Sequence, residues 1–184
     1  MAEYYKNLPL SESEILELKA GDQIYLTGKV YTGRDAAHKR LVEALESGKE
    51  LPFEINKSTL YYVGPCPAKP GEIIGSCGPT TSYRMDDYTP ALLDKGLQIM
   101  IGKGRRSSQV IKSMIENKSV YLAAIGGAGA LIKNSIKSAK IIAYEDLGTE
   151  AVRELIVENF PAIVAIDTRG NSLYANTKKG DSKC

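Results

Sequence analysis

Three short segments carry the side chains best suited to chemistry. The densest is Gly78-Pro79-Thr80-Thr81-Ser82-Tyr83-Arg84-Met85-Asp86-Asp87-Tyr88, where a Gly-Pro turn precedes three consecutive hydroxyls and an arginine lies one turn beyond the first threonine. Hydroxyls and backbone N–H groups at a helix start, with a guanidinium close by, suit a carboxylate or a phosphate. The same residues also read as a capping Thr-Thr-Ser beside a surface arginine. The second segment, Gly102-Lys103-Gly104-Arg105-Arg106-Ser107-Ser108, follows an apolar run and precedes a helix, the position at which open α/β sheets bind ligands. It is not a phosphate-binding P-loop, which would need glycine at position 97, where this chain has Leu97. A lysine between glycines lets the backbone come close to an anion, and its bland alternative is a solvated basic turn. The third segment, Thr32-Gly33-Arg34-Asp35-Ala36-Ala37-His38, again puts an arginine where a strand gives way to a helix. If these junctions cluster, Arg34, Arg84 and Lys103 form a clamp for a dicarboxylate. His38, the single histidine, is a candidate general base by type, but one turn into a helix it reads more readily as a polar packing residue.

Other motifs fail on spacing. In Gly126-Gly127-Ala128-Gly129-Ala130-Leu131 the third glycine of a dinucleotide fingerprint would fall at position 132, which is Ile132, so close packing of small residues is the expectation. Cys66 and Cys77 have no companion Cys-x-x-Cys, so neither a zinc site nor a complete iron–sulfur site is encoded and no metal ligands are assigned. With Cys184 the cysteines number three, an odd count that fits a reducing compartment.

The scaffold that must position these segments alternates between strand and helix. Ser11-Glu12-Ser13-Glu14 resembles a helix start, Gln23–Thr32 a strand, and Gly33-Arg34-Asp35 the opening of a helix that runs to Leu45. Strands are expected at 60–63, 73–76, 97–101, 120–125 and 141–144, with helices from Thr89-Pro90 to Gly96, near 108–117 and over 127–137. Residues 155–167 read as strand, sharp turn and strand, a β-meander added to an α/β body with parallel neighbours. The 184 residues suit one domain, 1–175, followed by a polar, frayed tail at 176–184. Their composition, 43% hydrophobic and 25% charged, excludes disorder and fibrous repeats. A net charge of +2 is far too small for binding nucleic acid by phosphate neutralisation. With 11 Tyr, 2 Phe and no Trp, the core is expected to be aliphatic, with tyrosines at its margins. Neither a signal peptide nor a membrane anchor is recognisable, which points to a cytoplasmic protein.

The three segments, with Gly126-Gly127-Ala128, Phe160-Pro161-Ala162, Asp167 and Gly170-Asn171, occur in the order seen in the iron–sulfur-dependent class I fumarases. From about residue 10 to about residue 174 the chain resembles their β subunit, equivalent to the C-terminal domain of the single-chain enzymes. The resemblance implies a swivelling β/β/α domain with a mixed sheet. It also implies an α subunit whose three cysteines hold a [4Fe–4S] cluster with one open iron, in αβ heterodimers or a dimer of them. In that family the open iron is a Lewis acid in the reversible hydration of fumarate to L-malate. Arg34, Thr80, Thr81, Arg84 and Lys103 fall on the substrate-binding positions, and Thr80 and Lys103 on the catalytic ones, with Thr80 the base at the carbon beside one carboxylate. The threonine would share its proton with an acidic residue of the α subunit. The related L-tartrate dehydratase β subunit shares the Gly-Pro-Thr-Thr core and the Gly-Lys-Gly turn. Gly33 and Arg106-Ser107-Ser108-Gln109-Val110 lean toward fumarase. A non-catalytic carboxylate- or phosphate-binding module is the reading from another class. Tyr83 and Tyr88 receive no role.

Overall fold

In the third strand and its continuation, apolar residues alternate in direction. Tyr61 and Val63 enter one buried cluster while Leu60 and Tyr62 enter another, the period of two that a strand imposes. The same alternation runs through Ile99, Met100 and Ile101 and through Val120, Tyr121 and Leu122. The sheet is therefore apolar on both faces, as expected of strands covered by helices on one side and closed upon themselves on the other.

The computed structural model describes residues 1–124 and 129–175. Seven strands, β1 (Glu3–Asn7), β2 (Gln23–Thr32), β3 (Thr59–Tyr61), β4 (Ile99–Gly102), β5 (Val120–Ala124), β6 (Ile136–Ala143) and β7 (Val152–Ile166), form one mixed sheet in the order β1-β2-β3-β4-β5-β7-β6. The first five pair in parallel, and β7 runs antiparallel to β5 and β6. Because β7 also pairs antiparallel with β2, the path β2-β3-β4-β5-β7 closes into a ring. Its interior holds the first cluster, with Ile24, Leu26, Tyr61, Ile99, Leu122 and Phe160 at its centre. Two helices contribute to that interior, α1 (Glu12–Glu17) through Ile15 and α5 (Gly129–Ser135) through Ile132. The outer cluster lies between the ring and α2 (Asp35–Glu46), α3 (Thr89–Leu93) and α4 (Ser108–Glu116), which supply Leu41, Leu92 and Met114.

Local signals account for the helix ends. Ser11 caps α1 in a reciprocal box, its Oγ accepting from Glu14 N at 3.3 Å while Glu14 Oε2 accepts from Ser11 N at 2.9 Å. Ser107 caps α4 by accepting from Val110 N at 3.3 Å. Asp167 closes the turn after β7 by accepting from the backbone N–H groups of Arg169 and Asn171, so that stretch of the recognised motif is structural.

Several expectations are corrected. Residues 155–167 are not a meander: β7 is continuous from Val152 to Ile166, and the turn-like Asn159-Phe160-Pro161 is a kink within it, with Asn159 at φ 52°. Asn159 N is held by Thr27 Oγ1 at 3.0 Å, and the register against β2 shifts between Leu26 and Gly28. Residues 73–76 form no strand; they lie in the long loop after β3, where Cys66 N donates to Ser76 O. The helix expected over 127–137 gives way to β6 at Ile136, and β1 was not anticipated. The Gly126-Gly127-Ala128 run and the tail at 176–184 lie outside the described residues. No helix among the described residues is long and apolar enough to cross a membrane.

Candidate active site

Three adjacent parallel strands deliver the sequence-derived candidates to one edge of the sheet. Arg34 follows β2, Thr80 is tied to the end of β3 by Thr80 N donating to Tyr62 O at 2.8 Å, and Lys103 follows β4. This is the carboxyl edge, where α/β sheets present ligand-binding loops.

Arg34 and Arg84 are brought together by a residue between them. Arg84 Nε donates to Asp35 Oδ1 at 2.9 Å, and Arg34 Nε lies 3.9 Å from Asp35 Oδ2. Glu150, from the segment before β7, reaches the same place. Its Oε1 is 3.6 Å from Arg34 Nη2, and its Oε2 accepts from Ala36 N at 3.0 Å, in the first turn of α2. The Arg34 side chain lies against Gly64, where a Cβ would stand 2.7 Å from Arg34 Cδ, so only glycine leaves room. Arg34 Nε and Asp35 Oδ2 are both buried without a hydrogen-bond partner. The arginine cluster is held in place but not saturated.

Thr80, Thr81 and Lys103 make a second pair of neighbours. Thr81 and Lys103 form an isolated parallel bridge, and Ser82 N donates to Lys103 O at 2.9 Å. Thr81, Arg84 and Lys103 are exposed, and Thr80 and Arg34 are half-buried. The Lys103 ammonium has no ion-pair partner among the described residues. The site is an open rim on which Arg84 and Lys103 are exposed and Arg34 lies deeper. A cavity of about 650 Å3 opens elsewhere, lined by residues such as Arg40, Ser47 and Tyr144, and shares no residue with this rim.

Two parts of the sequence reading change. The helix start expected at Thr80-Thr81-Ser82 is a single 3₁₀ turn, Ser82–Met85, and three amides of this stretch are already used: Thr80 N by Tyr62 O, Ser82 N by Lys103 O and Arg84 N by Thr81 O. The Ser82 hydroxyl is buried and turned away from the rim onto Tyr121 OH at 2.9 Å. His38, also considered as a base, is fully buried. Its Nδ1 is 2.8 Å from Arg34 O, its ring packs edge-on against Tyr62, and burial pushes its pKa down to about 4. It supports the backbone of Arg34 from below and does not face the rim. Tyr83 is exposed, and Tyr88 stands near His38.

Sequence reasoning passed over Asp35, Glu150, Asp86 and Arg106 as participants. Asp35, Asp86 and Arg106 lie inside the motifs themselves, but only folding shows which charges are buried or shared. Glu150 lies 114 residues from its partner Ala36 and carries no local signal.

Fold and site together define a mixed α/β domain with two arginines, a lysine and a threonine gathered at one edge of its sheet. More narrowly, the chain belongs to the Fumarase C-terminus family, whose model matches residues 5–177. Over 176 residues it is 41% identical to a Methanocaldococcus jannaschii protein provisionally named L(+)-tartrate dehydratase subunit beta, covering 92% of this chain and 90% of that one. It is 40% identical over 172 residues to the anaerobic class I fumarate hydratase of Escherichia coli, and 39% identical over 172 residues to the mitochondrial fumarate hydratase 1 of Leishmania major. In each of these two the match covers 91% of this chain and 31% of the relative. The chain thus spans nearly all of the first relative and about a third of the fumarate hydratases.

Proposed function

We propose that the chain is the β subunit of a hydro-lyase that interconverts fumarate and L-malate, working with an α subunit that carries a [4Fe–4S] cluster. The observation that carries this reading is the joining of Arg34 and Arg84 through Asp35 at the same sheet edge as the Thr81–Lys103 bridge. A dicarboxylate needs two cationic ends separated by a reacting centre, and this edge offers arginines on one side and Lys103 on the other. The outward exposure of Thr81, Arg84 and Lys103 suits half of a site completed by a second protein surface. The family's hydratases and dehydratase support the reaction class.

The donors among the described residues do not fit an iron–sulfur cluster. Cys66 is exposed, Cys77 is buried with its thiol pushed up to about 11 by burial, and no group of three metal-ligating side chains occurs among the described residues. The cluster is therefore assigned to the partner, and no step here passes through it. What this chain contributes is binding and proton transfer. Arg84 uses Nε on Asp35, which leaves its two terminal nitrogens for a carboxylate. Arg34 adds charge behind it, and Lys103 meets the far carboxylate. Thr80 Oγ1 takes the proton from the carbon beside one carboxylate. As a hydroxyl it is a weak base, so its own proton must first pass to an acidic group. No carboxylate of the described residues bonds to Thr80, so that acceptor is assigned to the α subunit.

L-Tartrate is the second reading, favoured by the 41% identity and 90% coverage of the tartrate dehydratase subunit. Both substrates need the same clamp. The test is anaerobic co-expression with the cluster-bearing partner, followed by parallel assays on L-malate and L-tartrate. Fumarate formed from malate supports the first reading, and turnover of tartrate alone replaces it with the second. Binding of dicarboxylates without turnover, at full cluster content, supports a non-catalytic module.

A further inference from the structure

We propose that Arg106 is a positioning residue of this site: its buried pair with Asp86 fixes the loop that carries Thr80 against the turn that carries Lys103. The inference rests on the reading of Thr80 and Lys103 as reacting groups. Arg106 itself never reaches the rim, since its side chain is 0% exposed and that of Asp86 6%. Arg106 Nε donates to Asp86 Oδ1 at 2.7 Å, Nη2 to Thr89 Oγ1 at 2.8 Å and Nη1 to Met100 Sδ at 3.4 Å. Its guanidinium carbon lies over the rings of Tyr62 and Tyr121, 5.3 and 5.1 Å from their centroids. One guanidinium thus touches the residue after β3, the first half of β4, the start of β5, the segment after the Thr80 loop and the first residue of α3.

The partner carboxylate does double duty. Asp86 Oδ2 accepts from Ser107 N at 2.6 Å, and Ser107 is the cap of α4. Positions 86 and 106 cannot separate without leaving a buried charge unpaired, which is strongly unfavourable. An apolar residue could fill the same volume without any desolvation penalty, but it would not set the relation between the two segments. At their other end the segments are joined again. Thr81 bridges Lys103, Ser82 N bonds to Lys103 O, Tyr121 OH donates to Gly104 O at 3.0 Å, and the Ser82 hydroxyl is hydrogen-bonded to the Tyr121 hydroxyl at 2.9 Å. Thr80 and Lys103 therefore sit on two segments held at both ends, so the spacing between their backbones is set before substrate arrives. Lysine at position 106 would keep the charge but lose the fork that reaches Asp86 and Thr89 together.

The test uses the complex with the cluster-bearing partner, prepared anaerobically. The variants are Arg106→Lys, Asp86→Asn and Lys103→Ala, with Met114→Ala in the neighbouring core as a structural control. The measurements are Tm, kcat per cluster and KM for the dicarboxylate that the wild type turns over. Arg106→Lys and Asp86→Asn are expected to lower kcat about 10- to 100-fold, with KM raised by no more than about threefold, since Arg34 and Arg84 are untouched. Met114→Ala is expected to lower Tm with kcat within about twofold of wild type. If Arg106→Lys fails to fold, Asp86→Asn carries the comparison alone. Unchanged kcat in the folded charge-pair variants, or equal kcat losses in them and in Met114→Ala, would overturn the positioning role. Wild-type turnover that survives Lys103→Ala would instead overturn the reading of the site on which the role depends.

Discussion

Arg84 shows how one contact can prepare a side chain for another. Asp35 holds the guanidinium by Nε and leaves its terminal nitrogens unused by that contact, as a two-point grip on a carboxylate would need. Arg84 is half exposed, so the pair adds little to stability. Its replacement by lysine should leave Tm almost unchanged and raise KM about tenfold, the loss of about one hydrogen bond to a charged group; an unchanged KM would remove Arg84 from the clamp. His38 makes a different, measurable contribution. In the unfolded chain it titrates near its ordinary 6.5, whereas burial among Tyr62, Tyr88 and Arg106 holds it down to about 4 in the fold. Between those values the unfolded state binds the extra proton, so stability is complete above about pH 6.5 and falls as pH drops toward 4, by up to about 3 kcal/mol. Urea unfolding at pH 7.5 and pH 5 should show a steeper loss for wild type than for His38→Gln; equal losses would mean that His38 is not the group responsible. Arg34 and Lys103 stood out in the sequence because each follows a strand, and the structure keeps that placement, whereas the strand expected ahead of Arg84 is a loop and Arg84 lies in the 3₁₀ turn that follows it. Glu150 and the Arg106–Asp86 pair did not stand out, because a shared or buried charge depends on which distant segments fold against one another.

At the level of elements, packing decided where local signals were equivocal. The alternation of β3, β4 and β5, the capping box at Ser11 and the helix at Asp35 were all legible, because each is a short-range pattern. The kink at Asn159 was not. Asn-Phe-Pro has the composition of a turn, but Phe160 is fully buried inside the ring and Pro161 pairs with Tyr25 of β2, so tertiary burial keeps the strand running through it. β1 was missed because Glu3–Asn7 is a half-exposed edge strand with little apolar signal. Element spacing also bears on the site. β4 ends at Gly102, where a Cβ would stand 2.0 Å from Ser82 Oγ and 3.1 Å from Tyr62 Cδ2. Gly102→Ala should push Ser82 and the Thr80 loop off Lys103, lowering Tm by a few degrees through about 1–3 kcal/mol of overpacking. It should also reduce kcat at least about tenfold. A folded variant with wild-type kcat would show that the close approach of loop and turn is unimportant for turnover.

The whole molecule is a closed strand ring with helices on its outer face and an open, cationic edge where β2, β3 and β4 end. Closure fixes the strands relative to one another, so loops on three neighbouring ends keep their mutual positions without mutual contact along their full length. The exposed Thr81, Arg84 and Lys103 at that edge, and relatives in which this region is about a third of a longer chain, fit a domain that completes its site against another surface. The expectation of such an arrangement came only from family resemblance, since nothing in the composition of one chain describes a surface that would face it. The most direct measurement is steady-state turnover and equilibrium dicarboxylate binding by the anaerobically assembled complex, wild type beside Thr80→Ala. Thr80→Ala is expected to bind substrate within about threefold of wild type and to lose turnover at least about 1,000-fold, since the arginines and Lys103 remain while the proton acceptor is gone. Turnover by Thr80→Ala at the wild-type rate would contradict the assignment of this edge as the catalytic one.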